Sequence, residues 1–334
     1  MVKAFGYGNG GYEIAKQLAH LKTDYLGVAF ADEGIALRKA GITTPIMVLN
    51  PEISSYKAMI AYHLEPEIYS IAGLTSFIEL AKEKNSYAYP IHLKIDTGMH
   101  RLGFEKEAIS ELISLLQHNN FVKVTSIFSH LATSDDLNFR DFTLHQIQLF
   151  DTISKQISST LNIQPIRHIL NTSGIFNYSE YQYEMVRLGI GIYGVGNAIE
   201  EQNSLENVST LKSIISQIRT VEANESIGYS RKFMVKKEMR IATIPIGYAD
   251  GIRRAWGNEK GFVSINNQKA TILGNICMDM LMVDVTHINC KERDEVTIFG
   301  ENPHVTEIAA VCQTIPYEIL TSISQRVKRI FYKN

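Results

Sequence analysis

The sequence predicts an α/β barrel followed by a separate, mostly β domain. Three observations lead there. Short apolar runs alternate with segments of helical periodicity up to about residue 204. There are about eight such runs, the number a parallel (β/α)8 TIM-type barrel needs. From residue 205 the texture changes to strand, turn, strand. A doubly wound open sheet is the alternative for the first part, but a Gly-x-Gly-x-x-Gly fingerprint with its acidic partner is not clearly present.

In chain order, the expected barrel strands are residues 2–5, 25–30, 45–50, 67–71, 91–96, 124–130, 166–171 and 185–193. Each is short, apolar and bounded by polar or turn-forming residues. Helical periodicity occupies 12–21, 32–40, 74–84, 106–117 and 143–161. In the second part, strands are expected at 214–221, 240–246, 261–265, 282–285 and 295–299. Turns are expected at Gly257-Asn258, Asn266-Asn267 and Gly300, and one more helix at 306–312. The domains expected are therefore 1–204, a barrel truncated at its first strand, and 205–334.

Composition narrows the function classes. The chain has 334 residues, 45% hydrophobic and 20% charged, which excludes general disorder and leaves room for about two domains. Thirty-three Lys and Arg against 35 Asp and Glu give a formal net charge of -2, which argues against a basic nucleic-acid binder. Cys277, Cys290 and Cys312 are odd in number and widely spaced, so no disulfide framework or metal site is expected. No apolar stretch is long enough to span a bilayer, and the opening residues lack the pattern of a signal peptide. The expected location is the cytoplasm.

Lys3 stands at the expected end of the first strand, followed by the Gly-rich loop Gly6-Tyr7-Gly8-Asn9-Gly10-Gly11. Backbone amides at such a loop suit an anion. A lysine facing a barrel interior needs a partner, and covalent attachment to an aldehyde cofactor is one solution. The other reading is a surface lysine at a frayed end.

An ordered set of motifs is more specific. Val2-Lys3-Ala4 and Tyr7-Gly8 come first. Lys94-Ile95-Asp96-Thr97-Gly98-Met99-His100-Arg101-Leu102-Gly103 follows, then Ser129-His130-Leu131-Ala132-Thr133 and His168 through Ser173. The order continues with Val186-Arg187-Leu188-Gly189-Ile190, Gly228-Tyr229, Gly247-Tyr248-Ala249-Asp250-Gly251, Gly274 through Asp279 and Pro316-Tyr317-Glu318. Together they resemble the bacterial alanine racemase family, pyridoxal-phosphate enzymes of fold-type III, along essentially the whole chain. The opening also resembles the racemase portion of ligase–racemase fusions.

The resemblance implies pyridoxal 5'-phosphate as cofactor and interconversion of L- and D-alanine by two bases, supplying D-alanine for peptidoglycan and the cell wall. Lys3 matches the lysine that holds the cofactor and acts as the base for the D-enantiomer. Tyr229 matches the base for the L-enantiomer. A free phenol, with a pKa of about 10, is almost wholly protonated near neutrality, so that role needs a site that stabilises the phenolate or couples its proton to a neighbour. Arg187 matches the arginine facing the pyridine nitrogen; a guanidinium stays protonated and leaves that nitrogen unprotonated. Arg101 matches a contact to the cofactor phenolic oxygen and the substrate carboxylate. Lys94 matches a lysine often carbamylated in the family. His130 matches a histidine under the cofactor ring, and His168, Asn171 and Asp279 match supporting positions. Tyr7, Thr172, Gly189, Ile190 and Tyr317 match the phosphate site, and Met278 matches a substrate-binding residue.

Tyr229 and Met278 reach the partner's site in the family, which implies a head-to-tail homodimer. Departures are Phe5, Asn9 and His100, where relatives commonly carry Asn, His and a small residue. The competing readings are a racemase of another small amino acid such as serine, and a non-catalytic cofactor-binding barrel or inactive fragment.

Overall fold

The computed structural model describes residues 1–332; residues 333 and 334, the end of the expected second domain, lie outside the described residues. The chain forms two compact units. The first comprises Met1–Gly6, Gly11–Ile192 and Gly196–Ser204, and the second comprises Tyr7–Gly10, Tyr193–Val195 and the chain from Leu205 on. Among the described residues no helix is long and apolar enough to cross a membrane.

The first unit is a run of strand–helix repeats. Its parallel strands β1 (Leu26–Val28), β2 (Ile46–Val48), β3 (Glu65–Ile68), β4 (Tyr89–Lys94), β5 (Val122–Phe128) and β6 (Ile166–His168) pair in sequence order. Val, Ile and Leu bury both faces of several of these strands, as a sheet covered by helices requires. The helices are amphipathic: Ile109–Gln117 buries Ile109, Leu112, Ile113 and Leu116, one stripe of a 3.6-residue period. Helix Ile71–Glu83 begins where the Ser70 hydroxyl accepts a hydrogen bond from the Gly73 amide (3.1 Å), an ordinary N-cap.

Two expected strands are not strands. Residues 3–7 form a left-handed helical turn, with φ of 52°, 55° and 59° at Ala4, Phe5 and Gly6 and 51° at Tyr7. Each non-glycine residue there costs about 1–2 kcal/mol. Residues 185–193, apolar enough to read as a strand, carry Gly189 and Gly191 and end in the 3₁₀ turn Ile190–Tyr193. Single hydrogen bonds take the place of ladders. Arg187 N–H donates to Leu170 O (3.0 Å), Val2 N–H to Gly27 O (2.9 Å) and the Met1 amino group to Leu188 O (2.9 Å). These bonds link β6 through residues 187–188 and Met1–Val2 back to β1, closing the ring around the barrel interior.

The second unit is built on an antiparallel sheet. Its strands are β7 (Leu211–Ile214), β8 (Gln217–Val221), β9 (Ser226–Ile227), β10 (Phe233–Met234), β11 (Met239–Ile244), β12 (Phe262–Ile265), β13 (Gln268–Leu273), β14 (Leu281–Asp284) and β15 (Glu295–Phe299). β9 and β10 form a separate two-stranded ribbon, and the remaining seven pair in the order β7-β15-β12-β13-β14-β11-β8. The single strand expected at 214–221 is in fact β7 and β8, which end the order on opposite sides although only Ile215 and Ser216 join them, so the sheet curls around its core. β9, β10, β13 and the helix Pro316–Thr321 are additional to the strands and helix expected of this unit; the helix opens with a proline in its first turn.

Candidate active site

Alternation along the parallel strands places one polar set on the barrel's inner face. Glu65 and Glu67 lie two apart on β3, His92 and Lys94 on β4, and Ser126 and Phe128 on β5, with His168 on β6. In register, Glu67 pairs with His92, His92 with Ser126, Lys94 with Phe128 and Phe128 with His168. Strand side chains alternate faces, so these residues share one.

Arg187 organises this set. Its Nη1 donates to His168 Nδ1 (2.6 Å) and His168 O (3.1 Å). Its Nη2 donates to Ser129 O (2.6 Å), Ile169 O (3.0 Å) and His130 Nδ1 (3.2 Å). A guanidinium only donates, so both imidazoles accept at Nδ1 and are neutral. Burial, followed by the charge of Arg187, holds both histidines well below the usual imidazole range. His168 must then donate from Nε2 to Ser126 Oγ (3.0 Å), Ser126 to His92 Nδ1 (2.7 Å), and His92 Nε2 to Glu65 Oε2 (2.9 Å). The result is a one-directional relay across four strands that fixes the rotamer of each member. Phe128 lies flat against His168, with ring centroids 4.8 Å apart, and the Arg187 guanidinium carbon lies over the Phe128 ring, 5.2 Å from its centroid.

Lys3 is half-buried at the start of the left-handed turn. The turn is held by Glu33, whose carboxylate accepts from the amides of Ala4 (2.6 Å), Ala29 (2.7 Å) and Phe30 (3.3 Å). Burial, then the charge of Arg101, pulls the Lys3 ammonium below the usual lysine range. Arg101 is exposed, in a loop shaped by Asp96, which accepts from the amides of Gly98 (2.9 Å) and His100 (3.1 Å). Lys94 is buried, 3.2 Å from Glu67 Oε1.

Asn171 caps the short helix Thr172–Asn177, its Oδ1 accepting from Gly174 N–H (2.9 Å) and Ser134 Oγ (2.7 Å). Thr172 Oγ1 accepts from the amides of Gly189 (3.1 Å) and Gly191 (3.3 Å), which leaves its own proton to donate. A Cβ on Gly191 would stand 2.7 Å from Thr172 Cγ2, so the approach requires glycine. The Gly189 amide is already committed to Thr172, whereas Ile190 opens the 3₁₀ turn, where the first amides have no partner within the turn.

In the second unit Tyr7 is buried and stacks on Tyr193 at 4.7 Å, with Tyr317 6.0 Å away on its other contact. Gly8 follows with φ 83°, and a Cβ there would run into Leu320 O; Arg329 clasps Gly8 O through Nε (3.1 Å) and Nη2 (2.7 Å). Tyr229 is 70% exposed and Met278 is 54% exposed. The backbone around Tyr229 is fixed: Gly228, Ser230 and Arg231 have positive φ, and Asn275 Nδ2 donates to Tyr229 O (3.1 Å). The Met278 segment is held by Ala249 N–H donating to Met278 O (2.9 Å) and by Arg326, which bridges Asp279 and Asp250 at 2.7 Å each.

Pyridoxal phosphate, the cofactor the resemblance implies, needs an amine, an acceptor or donor for its ring nitrogen, and phosphate ligands. The first unit's residues fit it. Lys3 is a half-buried amine beside a cation; the bonds of Arg187 use both terminal nitrogens and leave Nε–H over; Thr172 keeps a free hydroxyl proton next to a glycine cradle that a Cβ would fill. Glu65, Glu67, His92, Ser126 and Phe128 escaped the sequence reasoning. The signal for them was present: a polar or aromatic residue at every second position of otherwise apolar parallel strands.

Comparison with known proteins agrees over the full length. The families described as "Alanine racemase, N-terminal domain" and "Alanine racemase, C-terminal domain" match residues 1–197 and 208–331. The chain is 34% identical to alanine racemase 1 of Clostridium acetobutylicum over 345 aligned residues, 100% of this chain and 88% of that protein. Among solved structures, the alanine racemase of Clostridium difficile 630 superposes with a TM-score of 0.93 at 34% identity, covering 100% of this chain and 88% of that one. The alanine racemase of Bartonella henselae with covalently bound pyridoxal phosphate gives a TM-score of 0.89 at 30% identity, covering 99% and 91%.

Proposed function

The chain belongs to the alanine racemase family and is an isomerase of alanine; from that premise we propose that Lys3 and Tyr229 are its two bases, one for each face of the alanine Cα. Pyridoxal 5'-phosphate, when bound, withdraws electrons from Cα and acidifies its proton. The depressed Lys3 ammonium favours the free amine, the form needed to hold an aldehyde group and to take a proton from D-alanine. Tyr229 takes the proton from L-alanine. Its exposure on a fixed backbone suits a side chain that serves the site of a second copy, so the working form is a head-to-tail homodimer.

Arg187 donates Nε–H to the cofactor's ring nitrogen and, being permanently protonated, keeps a proton off it. That moderates electron withdrawal and restrains side reactions such as transamination. His130 lies under the ring, and His168 orients Arg187. Arg101 and the Met278 amide bind the substrate carboxylate. The Thr172, Tyr7 and Tyr317 hydroxyls, with Gly189 and Ile190, bind the phosphate; Asn171 and Asp279 hold the loops that present them. The D-alanine formed serves peptidoglycan synthesis.

The observation that supports this most is the Arg187 assembly, a cation locked by two neutral histidines and three carbonyls with one N–H to spare. The test is formation of D-alanine from L-alanine by the purified chain with added pyridoxal phosphate, read by chiral separation. Product above an enzyme-free control is expected. Cofactor bound, as read by its absorbance, with no product would overturn the reading.

A further inference from the structure

The barrel interior holds an unbalanced charge cluster. Lys3, Lys94, Arg101 and Arg187 all act electrostatically on or alongside one carboxylate, that of Glu67. Glu67 is 0% exposed on β3, and Lys94 Nζ on β4 lies 3.2 Å from its Oε1. Neither oxygen of Glu67 has a well-aligned hydrogen-bond partner. The other carboxylate whose charge reaches Lys3, Glu33, is spent on backbone amides. A buried carboxyl with poor hydrogen bonding is retained only where charge compensates it, and here the compensation is Lys94 first, then Arg187 and Arg101. Lys94 in turn is boxed between Glu67 and the face of Phe128, 5.4 Å away.

A lysine amine in such a place has another route to charge balance. Its unprotonated nitrogen attacks the carbon of carbon dioxide, an N–C bond forms, one N–H proton leaves to solvent, and a carbamate anion results. On Lys94 that anion would stand against the Glu67 carboxylate, with two negative charges where one already sits. We propose that Glu67 is a positioning residue for the reaction: its carboxylate is the resident counter-anion that keeps Lys94 an ammonium beside Arg101 and Arg187, and it replaces any anion formed on Lys94. The consequence reaches substrate through Arg101, whose guanidinium feels the charge of Glu67 and Lys94. The proposal rests on the reading of these cations as the reaction site, so its first readout is independent of catalysis.

The chain is incubated with isotope-labelled bicarbonate at about pH 8.5, above the value of about 7 to which burial raises the Glu67 carboxyl, and its carbon spectrum is recorded, with Lys94→Arg as control. No carbamate resonance is expected in the unaltered chain. A resonance present there and lost in Lys94→Arg overturns the proposal, whether or not the protein racemises alanine. The second arm is Glu67→Gln. With bicarbonate stripped, KM for L-alanine should rise about tenfold, an indirect effect smaller than the direct loss of a buried charged contact, with a smaller change in kcat. Added bicarbonate should lower that KM and produce the carbamate resonance. A Glu67→Gln enzyme with unaltered KM in stripped buffer contradicts the proposal. Should this variant fail to fold, labelling of the unaltered chain decides alone.

Discussion

The interior of the first unit and the exposed loops of the second solve opposite problems. Beside Arg187, His168, Ser126 and His92 are hydrogen-bonded from one strand to the next, and all three are fully buried. Tyr229 and Met278 have anchored backbones but side chains in solvent. Tuning a ring nitrogen needs a donor that cannot relax, because a preorganised dipole costs nothing at the moment of reaction. Delivering a base to the second face of a carbon needs reach, and reach is incompatible with burial in the unit that supplies it. Substitutions in the two regions should therefore fail differently: buried ones in stability, exposed ones in turnover.

The largest expected effects come from the two proposed bases. Lys3→Ala should abolish both covalent cofactor attachment and racemisation, read by the absorbance of the protein after desalting and by chiral separation. Tyr229→Phe should slow abstraction from L-alanine by about 10²–10⁴-fold while the cofactor stays bound. Next comes the buried assembly. Arg187→Ala strands two imidazoles and three carbonyls, and denaturant unfolding should show a loss of about 3–5 kcal/mol. The same substitution in the second unit's bridge, Arg326→Ala, removes a half-exposed ion pair to Asp250 and Asp279; the unfolding midpoint should shift far less than for Arg187→Ala. Equal losses from these two variants would break the contrast.

A subtler effect is that of pH on stability. His130 and His168 are held neutral in the fold, so below about pH 6.5 the unfolded chain binds more protons and stability falls as pH drops. Glu67 opposes this. Burial raises its carboxyl from 4.5 to about 7, so the folded state binds the extra proton in that window. Two histidines outweigh one glutamate, and denaturant midpoints should decline from pH 6.5 to about pH 5. A midpoint that rises over that range would mean the histidines carry protons in the fold.

Much of the fold was legible because strand and helix periodicities are local. The stripe of Ile109, Leu112, Ile113 and Leu116 and the apolar run ending at Lys94 declare themselves. Residues 185–193 misled because apolar content alone does not distinguish a strand from a packed turn. Gly189 and Gly191 there serve close approach to Thr172 rather than pairing. Residues 3–5 misled because no local rule places Ala and Phe in the left-handed region; Glu33, about thirty residues away, captures the amide that allows it. The sequence motifs named Lys3, Arg101, Arg187 and Tyr229, but their partners are non-local. Glu67 was invisible as a counter-ion because only strand register sets it beside Lys94.

The central claim is that two different side chains serve the two faces of Cα. It is tested most directly by Tyr229→Phe in deuterium oxide, following deuterium at Cα from each enantiomer separately. D-alanine should still exchange, through Lys3, while L-alanine exchanges scarcely at all and little product inverts. Exchange of L-alanine at the rate of the unaltered protein would contradict it.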